Sequence, residues 1–108
     1  MTQTSLLTNL ILSDLTSRGH LAWRNSTMGT FDRATGRYRT AHKSAIGTAD
    51  IVCCLKGGMY LEIELKLGND KQSVEQREHE TKVKQAGGRY FLLKDFNDYK
   101  ALRQSKGW

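Results

Sequence analysis

The chain has 108 residues, which is enough for one compact domain over residues 1–108 and excludes two. Hydrophobic residues make up 38% of the sequence and charged residues 26%, as is ordinary for a soluble globular domain with a modest core. The net charge of +6 favours polyanionic partners, such as nucleic acids.

The apolar run SLLTNLIL near the N-terminus predicts a helix. Thr4 or Ser5 can cap this helix, which then runs to about Arg18, with Gly19 after its last turn. Apolar residues at helical spacing predict one core-facing side, formed by Leu6, Leu7, Leu10, Ile11 and Leu15. The run has no basic leader and polar residues interrupt it, so we expect neither a signal peptide nor a membrane partner.

Four segments predict strands, because they are short and rich in β-formers. They are HLAWR (20–24), DIVCCL (50–55), MYLEIELKL (59–67) and RYFLL (89–93). Leu21 and Trp23 share one face of the first strand, and Trp23 is expected in the core. The turn Lys56-Gly57-Gly58 joins the second and third strands into a hairpin, and a further hairpin is expected around Thr35-Gly36. The adjacent Cys53 and Cys54 are expected to be reduced, as in a cytoplasmic protein.

Two further helices complete the predicted order, which is α β (loop) β β α β α. Ser73 and Gln76 have the spacing of a capping box, and the helix they open ends at Gly87-Gly88. Asp95 caps the last helix, whose inward side carries Phe96, Tyr99 and Leu102. The predicted fold class is therefore α/β, with a small mixed sheet flanked by helices.

The third strand alternates between apolar and charged residues. One side carries Leu61, Ile63, Leu65 and Leu67, and the other carries Glu62, Glu64 and Lys66. Asp50 begins the partner strand, so its carboxylate can converge with that of Glu64. Two carboxylates and a backbone carbonyl, here that of Leu65, suit Mg²⁺ or Mn²⁺, and Lys66 beside them can orient an attacking water. The alternative is a surface ion pair between Glu64 and Lys66, with Glu62 in solvent.

A longer pattern resembles the VRR-NUC family of the PD-(D/E)XK nuclease superfamily. It consists of Trp23-Arg24-Asn25, Gly47-Thr48-Ala49-Asp50, Gly57-Gly58, Glu64-Leu65-Lys66, Gly68, Ser73 with Gln76, and Gly87-Gly88. The resemblance implies an αβββαβ core in which Asp50 and Glu64 bind a divalent metal, Lys66 is the catalytic lysine and Gln76 lies beside the site.

Stand-alone members of this family look like phage or bacterial Holliday-junction resolvases. The resemblance therefore implies a homodimer that cuts four-way DNA in the cytoplasm. Ala49 stands where the family has proline. The first-helix glutamate of related resolvases is absent, and Asn9, Asp14 or Ser5 could substitute for it.

Basic residues in and before the long polar loop are candidates for phosphate contacts. These are Arg24, Arg33, Arg37, Arg39 and Lys43. His79 lies one helical turn after Gln76 and could touch DNA, or could be an exposed helix histidine. Two other functions remain open: cleavage of flap, nicked or other duplex DNA, and DNA binding without catalysis on a nuclease scaffold.

Overall fold

A computed structural model of the chain describes residues 1–25, 31–38 and 43–108. In this part of the chain three helices accompany six strands and a short 3-10 helix, Lys43–Ala45. The helices are α1 (Gln3–Ser17), α2 (Val74–Gln85) and α3 (Phe96–Lys106). The strands are β1 (Leu21–Arg24), β2 (Phe31–Asp32), β3 (Arg37–Tyr38), β4 (Ile51–Cys54), β5 (Tyr60–Leu65) and β6 (Arg89–Leu93).

Four strands form one mixed sheet in the order β1-β4-β5-β6. The pairs β1–β4 and β4–β5 are antiparallel, whereas β6 runs parallel to β5 after the crossover through α2. The predicted α/β class and element order are confirmed. The hairpin expected around Thr35-Gly36 is confirmed as well, since β2 and β3 pair on either side of this turn.

Local capping explains where the helices begin. The predicted capping box is present in α2: Gln76 N–H donates to Ser73 Oγ at 3.1 Å, and Ser73 N–H donates to Gln76 Oε1 at 2.9 Å. Asp95 caps α3 as predicted. The first helix begins earlier than predicted, because Thr2 is its cap and Thr2 Oγ1 accepts from Ser5 N–H at 3.0 Å.

Helices cover both faces of the sheet. Helices α1 and α3 bury one face in the main core, and α2 covers the other face, where Ala49, Val83 and Tyr90 form a smaller cluster. The main core contains Leu7, Ile11, Leu15, Ile51, Cys53, Leu55, Leu61, Ile63, Leu65, Leu93 and Tyr99. None of the helices in the described ranges is long and apolar enough to cross a membrane.

Three side chains predicted in the core are largely exposed. Leu6 is 54% exposed, Leu10 47% and Trp23 47%. Strand β1 lies at the edge of the sheet, and Ala22 is its residue that packs against the main core. Trp23 therefore lies on the face of the sheet that α2 covers. Helix α2 packs against β6, which is at the opposite edge of the sheet from β1, so Trp23 stays exposed. Cys53 and Cys54 are free thiols, as expected.

Candidate active site

The catalytic residues predicted from the sequence line one cleft of about 610 Å³. The cleft contains Asp50, Glu64, Leu65, Lys66 and Gln76, together with the predicted DNA contact Arg24. Further residues complete its lining: Thr4, Asn25, Thr48, Ala49 and Asp70. From the sequence, Thr4 is predicted only as a helix cap, Thr48 belongs to the family pattern, and Asp70 is not singled out. Asp70 closely follows β5, which carries Glu64. For Thr4, the sequence gives no indication of a place in the cleft.

The pairing of β4 with β5 brings the two carboxylates together. Ile51 lies opposite Ile63, so the next position of the antiparallel ladder places Asp50 opposite Glu64. Asp50 Oδ2 accepts from the backbone N–H of Leu65 at 2.7 Å. The backbone carbonyl of Asp50 accepts from Asn25 N–H at 2.8 Å, which ties the end of β1 to the same point.

Glu64 is held in a buried environment of mixed charge. The residue is 3% exposed, and its Oε1 lies 3.4 Å from the ammonium nitrogen of Lys66. Burial, together with the charge and hydrogen bonding of Asp50, raises the pKa of Glu64 to about 7, although Lys66 acts in the opposite direction. The ion pair considered as an alternative is therefore present, but it lies largely out of solvent and not at the surface.

The oxygen donors in the cleft fit a hard divalent cation. Among the described residues, no three His, Cys, Asp or Glu side chains are grouped so that they could hold a metal ion. A cation here would therefore rely on Asp50, Glu64, the Leu65 carbonyl and water, as Mg²⁺ often does in proteins. The raised pKa of Glu64 points the same way, since a cation would relieve the repulsion between the neighbouring carboxylates.

Gln76 has two roles in the structure. Its Oε1 closes the capping box with Ser73, and the residue also lines the cleft. The cap orients the side chain and leaves the Nε2 amide as its donor toward a ligand. The two interpretations of Gln76 are therefore compatible.

Helix α1 reaches the cleft through Thr4 and not through a carboxylate. Of the proposed substitutes for the missing glutamate, Ser5 accepts from Arg24 at the edge of the cleft, at 3.1 Å. Asn9 donates to Met1, and Asp14 is paired with Arg18 and Arg103. None of the three lines the cleft, so Asn9 and Asp14 are the wrong substitutes, and Ser5 reaches the cleft only through Arg24.

The remaining predicted DNA contacts are dispersed. Arg33 and Arg37 are exposed on the β2–β3 hairpin. Arg39 lies outside the described residues, and the structure gives only the backbone of Lys43, at the start of the 3-10 helix. Their contact with DNA stays a prediction.

Glu62, on the same face of β5 as Glu64, is buried together with His79 beside the cleft, which corrects two expectations. Glu62 is 1% exposed, so the prediction that it is solvated was wrong. Its Oε1 accepts from Ala49 N–H at 3.0 Å, and its Oε2 accepts from the Tyr60 hydroxyl and lies 2.9 Å from His79 Nε2. His79 is 9% exposed and absent from the cleft lining, so the exposed helix histidine was also wrong.

This buried network lies beside the cleft and supports it. Glu62 fixes the amide of Ala49, the residue before Asp50, while His79 belongs to α2, the helix that carries Gln76. Gly47 permits the close packing, because a Cβ there would lie 2.3 Å from the Glu75 carbonyl oxygen. The alternation along the strand does place Glu62 and Glu64 on one face of the sheet, but it does not show that a helix covers that face.

Comparison of the chain with protein-family models, with curated proteins and with solved structures finds no match. The family resemblance therefore rests on the residues and their spacing.

Proposed function

We propose that this protein is a metal-dependent endodeoxyribonuclease similar to the VRR-NUC family, with the αβββαβ core of the PD-(D/E)XK superfamily. One observation carries the proposal. Asp50 precedes β4, Glu64 and Lys66 lie at the end of β5, and Gln76 lies in α2, and all four line a single cleft. Gln76 of α2 lies in the same cleft as the strand residues, in addition to closing the capping box with Ser73.

The cleft chemistry suits hydrolysis of a phosphodiester. When bound, Mg²⁺ or Mn²⁺ held by Asp50, Glu64 and the Leu65 carbonyl would lower the pKa of a coordinated water and neutralise phosphate charge. Lys66 supplies a positive charge where negative charge develops on the phosphate, and it can orient the attacking water. Arg24, held by Ser5 at the rim, is placed to bind a neighbouring phosphate.

The substrate that we propose is a four-way DNA junction, cut by a homodimer in the cytoplasm. Symmetric cleavage of a junction needs two active sites, and this chain has one such cleft among its described residues. Light scattering of the protein with an uncut junction, in EDTA, measures the stoichiometry. We expect two chains per junction, and a single chain would contradict the homodimer.

A nicking assay tests the chemistry. A labelled four-way junction and a matched linear duplex are incubated with Mg²⁺, Mn²⁺ or EDTA. We expect symmetric cuts in the junction, lost in EDTA and in the Glu64→Gln variant. Glu78→Gln, on the exposed side of α2, is the matched control and should cut like the wild type.

A second function is favoured by one observation. Helix α1 contributes Thr4 and no carboxylate to the cleft, whereas related resolvases often carry a metal-binding glutamate on their first helix, so the protein could bind DNA without cutting it. In that case DNA would bind tightly but stay intact in both metals. Asp50→Asn and Glu64→Gln would then tighten binding, because each removes negative charge facing the polyanion. Cutting of flaps or nicked duplexes instead of junctions would keep the chemistry and change the substrate.

A further inference from the structure

A second cavity, at the other end of the sheet, is lined by cations. This cavity of about 410 Å³ has Lys56, Arg89 and Lys106 in its wall, and no aspartate or glutamate side chain lines it. We name it the basic cavity, after these three residues. Its remaining wall is largely apolar and includes Met59, Phe91 and Trp108.

The fold brings the three cations together from distant positions in the sequence. Lys56 lies in the β4–β5 turn, Arg89 begins β6, and Lys106 ends α3. Arg89 pairs with Leu61 in the parallel β5–β6 ladder. At about 3.3 Å per residue, Leu61 lies about 10 Å along β5 from Glu64, so the basic cavity is separate from the cleft.

The three cationic side chains have no acidic partner in the part of the chain that the structure describes. Within the described ranges, none of them makes an ion pair or a side-chain hydrogen bond, and all three residues are exposed. Other basic residues of the helices are paired with acids, as Lys84 is with Glu80 and Arg103 with Asp14. Three unpaired charges of one sign around one cavity repel one another, and a bound anion would relieve that repulsion.

His20, in the wall of the same cavity, is consistent with a positive local field. Its Nδ1 accepts from Lys56 N–H at 3.0 Å, so in the neutral ring the hydrogen sits on Nε2, which has no partner among the described residues. Burial lowers the pKa of His20, and the charges of Lys56 and Arg18 lower it further. The surroundings of the cavity therefore disfavour an added positive charge.

We propose that the basic cavity is a second DNA-contact surface, which binds the phosphodiester backbone of an arm of the same substrate outside the cleft. The inference rests on the proposed function, because the substrate is taken to be branched DNA. The occupant follows from charge complementarity: three cations around one cavity, with no acidic side chain among the described residues of its wall, complement the negatively charged backbone of DNA. The cleft alone would contact DNA near the scissile bond, and the basic cavity adds affinity for substrates that extend beyond it.

The test measures how junction binding depends on salt. Binding of a labelled four-way junction to the full chain is followed by fluorescence anisotropy in EDTA, so that no cleavage intervenes. The triple variant Lys56→Ala/Arg89→Ala/Lys106→Ala is compared with the wild type. Lys100→Ala is the matched control, since Lys100 is an exposed lysine on the same helix as Lys106 and is absent from the wall of the basic cavity.

The triple variant should flatten the slope of log K against log [salt] by about 2.7, at about 0.9 for each lost phosphate contact. Its affinity near physiological salt should fall by at least about tenfold, whereas Lys100→Ala should leave the slope unchanged. Thermal unfolding followed by circular dichroism checks that the variant is folded. Should it unfold, Lys56→Gln/Lys106→Gln replaces it, with an expected flattening of about 1.8.

A local readout accompanies the slope. In a Trp23→Phe background, Trp108 is the remaining tryptophan, and its fluorescence should change when the junction binds. A wild type that binds junctions, combined with an unchanged slope in the cavity variant, overturns the second surface and leaves the nuclease proposal standing. A wild type that binds no DNA overturns both. Binding and cleavage thus separate the failure of this inference from the failure of the proposed function.

Discussion

Replacing Glu64 with glutamine should stabilise the metal-free protein at neutral and alkaline pH. The folded chain raises the pKa of this carboxyl from 4.5 to about 7, chiefly by burial and then through Asp50. Below pH about 4.5 the group is protonated in both the folded and the unfolded chain, so it has no effect. As the pH rises to about 7, only the unfolded chain loses the proton, and the stability of the folded chain falls by roughly 3 kcal/mol.

Glutamine is neutral at every pH, so the variant avoids this loss. Urea unfolding in EDTA at pH values from about 4.5 to 8 gives the free energy of unfolding of each protein. The difference between Glu64→Gln and the wild type should grow by roughly 3 kcal/mol over this range, since titrating groups that do not interact with Glu64 cancel in the comparison. The charges of Asp50 and Lys66 act on Glu64 and are part of the effect. Glu78→Gln, an exposed control, should show no such growth. A difference that is independent of pH would refute the reasoning.

Mg²⁺ should reverse this order of stability. A cation that binds the ionised pair of carboxylates stabilises the folded chain by mass action, and it does so only where Glu64 can ionise. We therefore expect added Mg²⁺ to raise the melting temperature of the wild type at pH 8 and to leave that of Glu64→Gln unchanged. Equal increases in both proteins would place the metal away from Glu64.

Three other substitutions test the packing around the site by urea unfolding. Gly47→Ala should cost at least about 2 kcal/mol more than Gly57→Ala, because both have positive φ but only Gly47 would clash with α2; equal costs would contradict the contact. Glu62→Ala should destabilise the folded chain by about 3 kcal/mol, because it leaves the buried amide of Ala49 and the ring of His79 without their partner, and Glu62→Gln should destabilise it by clearly less. Tyr99→Phe should cost about 1–2 kcal/mol through its lost 2.6 Å hydrogen bond to Asp14, and a neutral effect would show that this link between α1 and α3 is dispensable.

Local chemistry explains why the order of elements was predictable. Capping depends on residues a few positions apart, so Ser73 with Gln76, and Asp95, identified the beginnings of α2 and α3. Alternation along β5 assigned Glu64 and Lys66 to one face. The short turn between β4 and β5 predicts that these two strands pair as a hairpin. This pairing brings the carboxylates of the candidate cleft together.

Burial was less predictable, because it depends on what packs over a face. The same alternation that placed Glu62 beside Glu64 does not say whether a helix covers both. Helix α2 does cover Glu62, which contacts His79 of that helix. Both residues are therefore buried, whereas the sequence analysis considered them exposed to solvent. Trp23 shows the converse, since its apolar ring stands on an edge strand that no helix covers on that side in the described part of the chain.

The sequence by itself determined the helices, the strands and the chemical identity of the cleft residues, because each depends on neighbours within a few positions or on a strand joined by a short turn. The tertiary structure alone decided that Thr4 and Asp70 join the cleft and that Glu62 supports it by accepting from the amide of Ala49. It also decided that Lys56, Arg89 and Lys106 surround one cavity. These groupings join residues far apart in the chain. They arise only when the helices pack onto the sheet and exclude water from particular side chains.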